Sequence, residues 1–152
     1  MKTNLINRLG FNSYNETHIM NKKILITASI FGLLAVVFGA FGAHALKELI
    51  AVEAQQTFET GVRYQMYHAI LLLFIGSTAY IQQKKKKILY YLIVLGIILF
   101  SGSIYGLATN LLTTFDFKMI GFVTPIGGLL LILAWGVMIT DFLKMESKND
   151  NQ

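Results

Sequence analysis

Two histidines, His44 and His68, sit at the edges of uncharged apolar runs, among residues of kinds that bind or move charge. A neutral imidazole ligates metals, and it titrates close to physiological pH. Glu48 follows His44 by one helical turn, so His44, His68 and a carboxylate form one candidate metal set. That spacing matches no established zinc signature, and neither a metal nor another cofactor is expected. A proton relay is a second reading, because ionisable groups at membrane depth often serve that role. The simplest reading is that each ring bonds a carbonyl or a serine at the interface. Between them, a helix through residues 59–70 would align Glu59, Arg63 and Tyr67 in one column and Thr60, Tyr64 and His68 in the next. Glu four residues before Arg is the favourable order for a helical ion pair, contributing about 0.3–0.5 kcal/mol where exposed. Arg63 therefore suits a pair with Glu59, Glu53 or Glu48, and otherwise an anionic head group or a partner's carboxylate. Farther along lie Ser101, Ser103, Thr124 and Pro125. Pro125 is the only proline; inside a helix it would release the carbonyl of Gly121 and kink the chain. Unwound backbone of that kind also builds ion and solute sites.

No catalytic signature accompanies these residues. The chain has no H-E-x-x-H, no G-x-S-x-G and no phosphate-cradling loop followed by Lys-Ser/Thr. The absence of cysteine excludes thiolate metal sites and cysteine nucleophiles. "GAFGAH" has G-x-x-G spacing but lacks the strand-turn-helix setting of a dinucleotide site. The chain is therefore not expected to be an enzyme.

The elements that must position these residues are apolar helices. Of 152 residues, 55% are hydrophobic and 14% charged, against about 25% charged in soluble domains; mean hydropathy is +0.58. A bilayer core about 30 Å thick needs roughly 20 apolar residues in a helix. Residues 24–43, 66–81, 88–109 and 119–140 supply four such segments, the second shorter than the rest. They are apolar nearly all round, where a soluble helix would carry a polar stripe. The expected fold class is all-α: an integral membrane four-helix bundle, residues 20–143, with a polar tail over 144–152. The first outer loop, 46–65, is rich in helix formers, and Leu46, Leu49 and Ile50 suit a short helix on the membrane surface.

Basic residues set the expected direction. Lys2, Arg8, Lys22, Lys23, Lys84, Lys85, Lys86, Lys87, Lys144 and Lys148 flank one side of the spans; Lys47, Arg63 and Lys118 flank the other. The positive-inside rule then places both termini in the cytoplasm. The net charge of +5 and the "KKKK" run read as a topology anchor touching anionic lipid head groups, not as a nucleic-acid site. Tyr80, Tyr90, Tyr91 and Trp135 fall toward the inner interface; Tyr64, Tyr67 and Tyr105 fall toward the outer. The first span ends in an A-x-A-like site at Ala43-His44-Ala45, but its apolar run exceeds the usual 7–15 residues of a signal core. An uncleaved anchor is expected. Residues 1–19 form a polar, irregular leader, and Met20-Asn-Lys-Lys reads as an alternative start.

This topology brings His44, Glu59, Arg63, Tyr64, Tyr67, His68, Ser101, Ser103, Thr124 and Pro125 into the outer half of the bundle, as a candidate functional cluster. Small residues at helical spacing, Ala35, Gly39 and Ala43, with Gly102, Gly106, Gly127 and Gly128, are expected to bring helices into close contact.

Four blocks, "GAFGAHALK" (39–47), "TFETGVRYQMYHA" (57–69), "FSGSIYGLA" (100–108) and "TPIGGLLLILAWGV" (124–137), resemble, in order, the family called domain of unknown function 423. Its members are small bacterial inner-membrane proteins related to small eukaryotic transmembrane proteins. The resemblance covers about residues 20–143; the leader before Met20 departs from the pattern. It implies a four-helix integral protein of the inner (plasma) membrane and no established activity. The expected role is a non-enzymatic component that packs with itself or with a membrane-protein partner, surrounded by membrane lipids. The alternative is a binder or conduit for a small solute, proton or lipid in the extracytoplasmic half.

Overall fold

A computed structural model describes the backbone of residues 2–149 and the side chains of residues 17–144. It contains four α-helices: α1 (Lys2–Ala43), α2 (Val52–Ser77), α3 (Gln83–Ala108) and α4 (Val123–Asn149). Short 3-10 turns, Leu46–Glu48, Asn110–Leu112 and Phe117–Ile120, fill the connections at one end. No strand occurs among the described residues. The backbone of the leader, expected to be irregular, continues α1 from Lys2; the side chains of residues 1–16 lie outside the described set.

The helices run up and down and pack in chain order, α1 on α2, α2 on α3 and α3 on α4. Among the described residues α1 meets α3 only marginally and does not pack on α4. The bundle is thus a row with α1 and α4 at its flanks. Three stretches, Thr17–Glu48, Gln83–Ala108 and Phe117–Lys144, are long and apolar enough to cross a membrane. The 26 residues of α3 span about 39 Å at 1.5 Å per residue, more than a hydrocarbon core. α2 is not among these stretches, because its N-terminal half carries Glu53, Gln55, Gln56, Glu59, Arg63 and Gln65. It is as long as α3, however, and packs between α1 and α3 from Phe58 to Gly76.

The expected second span, 66–81, is shifted. α2 starts at Val52 and stops at Ser77, where Thr78 turns to an extended conformation. The short helix foreseen in the first connection is the turn Leu46–Glu48; Leu46 is buried beneath it and Leu49 is exposed. Most of the expected loop is the N-terminal half of α2. Pro125 also differs from expectation. α4 begins at Val123, so Pro125 lies in its first turn, where a missing N–H leaves no helical bond unmade. The carbonyl of Gly121 accepts from the amide of Thr124 at 3.3 Å, and no kink arises there.

Two apolar cores hold the row together. The larger gathers Ile24, Ala28, Leu72, Ile75, Leu89, Ile93, Ile97, Leu131, Ala134 and Met138. The smaller, near the turns, gathers Leu46, Phe58 and Ala108. Glycines set the closest approaches. A Cβ on Gly61 would fall 2.7 Å from the Tyr105 ring, and one on Gly127 would overlap the backbone of Phe100. Gly39 and Gly42 face Val62 and Phe58, Ala35 is buried, and Gly106 and Gly128 face Phe117 and Phe100. Ala43 and Gly102 instead point outward, and nothing lies within 4 Å of a Cβ built on Gly102.

Candidate functional site

The stripe of α2 that faces its neighbours runs through Phe58, Gly61, Gln65, His68, Leu72 and Ile75. Steps of three and four keep these residues on one side of a helix. Two polar side chains therefore occupy core positions, between the two apolar clusters. Gln65 is 3% exposed and His68 4%.

Buried polar groups must find partners, most of all where no water can replace them. Gln65 does so by joining three helices. Its Nε2 donates to the Phe31 carbonyl of α1 at 2.9 Å, and its Oε1 accepts from the Tyr105 hydroxyl of α3 at 3.0 Å. His68 Nδ1 lies 2.8 Å from the Tyr64 carbonyl, which can only accept, so Nδ1 carries the proton. Its Nε2 then accepts from the Trp135 indole N–H of α4 at 3.4 Å. This is a neutral imidazole with both nitrogens engaged. Ser103 completes the layer: its Oγ bonds back to the Leu99 and Phe100 carbonyls and across to Thr124 Oγ1 at 2.7 Å. Ser101 is different. It is 1% exposed, and its Oγ has no partner among the described residues.

The expected cluster of ten therefore separates into two groups. His68, Ser101, Ser103 and Thr124 belong to an internal polar layer, together with Gln65 and Tyr105. His44, Glu59, Arg63, Tyr64, Tyr67 and Pro125 are exposed. The ion pair of Arg63 with an acid is replaced by local bonds: Arg63 donates to Thr60 Oγ1 at 3.2 Å, and Glu59 accepts from Gln55 at 3.4 Å. Arg63 and Glu59 have these neutral partners within one turn, and the guanidinium is left facing outward. His44 Nδ1 bonds the Ala40 carbonyl at 2.9 Å. The antiparallel register, with Gly39 against Val62 and Gly42 against Phe58, carries His44 along α1 away from the level of His68. The two rings do not share a site, and no three His, Asp or Glu side chains converge among the described residues.

Trp135 and Tyr90, placed by sequence at the inner interface, also work within the bundle. Trp135 reaches His68, and Tyr90 is 6% exposed with its hydroxyl 3.2 Å from Thr27 Oγ1.

A second polar centre lies at the lysine-rich end. Lys86, expected to be one of four exposed anchors, is 1% exposed. Its Nζ donates to Asn21 Oδ1 at 2.9 Å and to the Thr78 carbonyl at 2.6 Å. Gln83 Nε2 shares the same Asn21 oxygen at 3.4 Å. Asp141 is buried on the inward face of α4 beside Ala134 and Met138. The register that sets Gly96 against Leu131 and Phe100 against Gly127 brings it level with Lys86. Gln83 Oε1 and Asp141 Oδ2 have no partner among the described residues.

Sequence reasoning missed Gln65, Lys86 and Asp141. The signal for Gln65 was the three-four stripe through Phe58 and Leu72. For Lys86 it was the step from Lys86 to Leu89, Tyr90 and Ile93 along the buried face of α3.

The family model described as a protein of unknown function, DUF423, matches residues 38–128, which include Gln65, His68, Ser101, Ser103, Tyr105 and Thr124 of the polar layer. The chain belongs to the DUF423 family. It is similar to the UPF0382 inner membrane protein YgdD of Escherichia coli, 33% identical over 129 residues, 82% of this chain and 92% of that one. It is also similar to the UPF0382 membrane protein of Staphylococcus epidermidis, 35% identical over 123 residues, 81% of this chain and 97% of that one. A Staphylococcus saprophyticus UPF0382 membrane protein is 34% identical over 124 residues, 82% of this chain and 99% of that one. No solved structure matches. This DUF423 protein is thus an integral membrane protein, and its polar layer lies inside a lipid-facing bundle.

Proposed function

We propose that this DUF423 protein is a non-enzymatic, multi-pass component of the inner membrane that works by packing against a second membrane helix, its own or a partner's. In this reading all four helices cross, α2 shielded by its neighbours, and both termini lie in the cytoplasm, as the distribution of lysines favours. The observation that carries it is the free flank of α1. α1 packs mainly on α2 and reaches α3 through side chains such as Asn21 and Thr27, while its outward side carries Ile26, Ile30, Leu33, Val36 and Val37, all exposed. On that side Ser29 helps to line a groove of about 350 Å³ with Leu25, Ile26, Ile30 and Leu33, and nothing lies within 4 Å of a Cβ built on Gly32. Small residues on an apolar face let a second backbone approach closely, which is what drives helix association in lipid.

The chain has no cysteine, so single-cysteine variants report contacts without background. A benzophenone attached through Ser29→Cys or Gly32→Cys and photoactivated in native membranes is expected to crosslink to a reproducible neighbour, and one attached through Leu95→Cys on α3 to none. A uniform absence of adducts at Ser29 and Gly32 overturns the proposal.

A second reading is a binder or conduit for a small solute, proton or lipid in the extracytoplasmic half. Ser101 favours it: a buried hydroxyl without a partner, on the same α3 face as Tyr105, offers a hydrogen bond to a guest. Reconstituted protein should then bind or pass a solute in a manner lost in Gln65→Leu. Equal behaviour of the two proteins removes this reading.

A further inference from the structure

The lysine-rich end holds a groove that the packing role does not use. It encloses about 570 Å³ between α1 and α3, lined by Thr17, Ile19, Met20, Lys23, Gln83, Lys84 and Lys87, within the ~300–1,000 Å³ of small-molecule sites. Three ammonium groups line it, and no acidic side chain is among these lining residues. Lys23 Nζ is held 4.9 Å from the Tyr90 ring centre and 5.5 Å from that of Tyr91, which orders one of the three cations. Behind the rim the buried Lys86 donates to the Asn21 and Thr78 oxygens, level with the buried Asp141 of α4, so the rim lysines carry the net positive charge of the groove. Gln83, whose Nε2 is turned to Asn21, has a buried Oε1 without a partner among the described residues.

The three lysines ask for an anionic ligand. The depth of the groove selects its source. Lys23 directly precedes the apolar stretch that starts at Ile24, and Lys87 the one that starts at Ile88, so the cations stand at head-group level with Ile19 and Met20 beside them. We propose that this groove binds the head group of one anionic phospholipid. Lys23, Lys84 and Lys87 hold its phosphate. This site lies at the opposite end of the bundle from the polar layer. It requires the membrane setting but not the partner-packing reading.

The test is native mass spectrometry of the full chain released from a non-ionic detergent, loaded in turn with phosphatidylglycerol, phosphatidic acid, phosphatidylcholine and inorganic phosphate. Retention of the anionic lipids, phosphatidylglycerol and phosphatidic acid, over phosphatidylcholine is expected. Lys23→Gln/Lys84→Gln/Lys87→Gln is expected to weaken it by about a hundredfold, at about fivefold per lysine. The corresponding triple arginine variant keeps the charge and should retain the lipid, which separates loss of the site from loss of the fold. Lys47→Gln/Lys118→Gln, at the other end, should change nothing. Retention unaffected by the triple glutamine variant overturns the site, as does equal loss in the Lys47/Lys118 variant. Inorganic phosphate that displaces the lipid at equal concentration overturns the lipid as occupant.

Discussion

The two polar centres of this bundle solve the same problem in different ways. In the layer around Gln65 and His68, the groups are neutral, and each helix supplies a partner for a neighbour: Phe31 for Gln65, Tyr105 for Gln65, Trp135 for His68, Thr124 for Ser103. At the lysine-rich end a full charge, Lys86, is buried on neutral oxygens, with the unpartnered acceptors Gln83 Oε1 and Asp141 Oδ2 nearby. Depth is the physical difference. A neutral, satisfied amide or imidazole is tolerated between helices far from water, whereas a charged group is tolerated close to the head groups, where water and lipid phosphate are in reach. The neutral layer serves as cross-bracing, and the charged end is the one equipped to meet ions or lipid.

This contrast can be broken most forcefully by separating the helices that carry both centres. Gly127→Leu puts a side chain into the backbone of Phe100; thermal unfolding in detergent should show a loss of about 3 kcal/mol or more. Next, Lys86→Ala strips a cation from Asn21 and Thr78 and should cost about 2–3 kcal/mol by the same measurement. A neutral result would mean that the buried charge contributes nothing net. Gln65→Leu removes two interhelical bonds and should cost about 1.2 kcal/mol, at about 0.6 each in a bilayer setting. A cost equal to that of Lys86→Ala would erase the distinction between the centres. Smallest of all, Ser101→Ala deletes a hydroxyl with no partner and should leave stability within about 0.5 kcal/mol or raise it slightly. A marked loss would show that Ser101 has a partner the bundle itself does not supply.

Much of the architecture was legible in the chain. Apolar runs of bilayer length required helices, and the lysine-flanked gaps marked the turns between them. Gly39 lies against Val62 and Gly127 against Phe100, at positions where small residues recur along the helices. The candidate cluster was legible only in part. Composition marks His44, Glu59 and Arg63 as conspicuous because they are charged or titratable, yet α2 turns Glu59 and Arg63 outward and His44 lies exposed in the turn after α1. Gln65 and Lys86 drew no notice, since a glutamine in a polar-looking segment and one lysine among four carry no local mark of burial. Pro125 misled because its effect depends on where the helix starts: two residues inside Val123 it is harmless, and mid-helix it would have been a break.

By itself, then, the order of residues determined that this chain forms apolar helices in a membrane, and to which family it belongs, because hydrophobicity and helical period are local properties summed along a segment. Only the tertiary structure decided which polar groups face one another. Partners such as Gln65 and Tyr105, or Lys86 and Asn21, are 40 and 65 residues apart. Their meeting depends on the register of packed helices, set by glycine contacts that span the bundle and not by any neighbour in the chain.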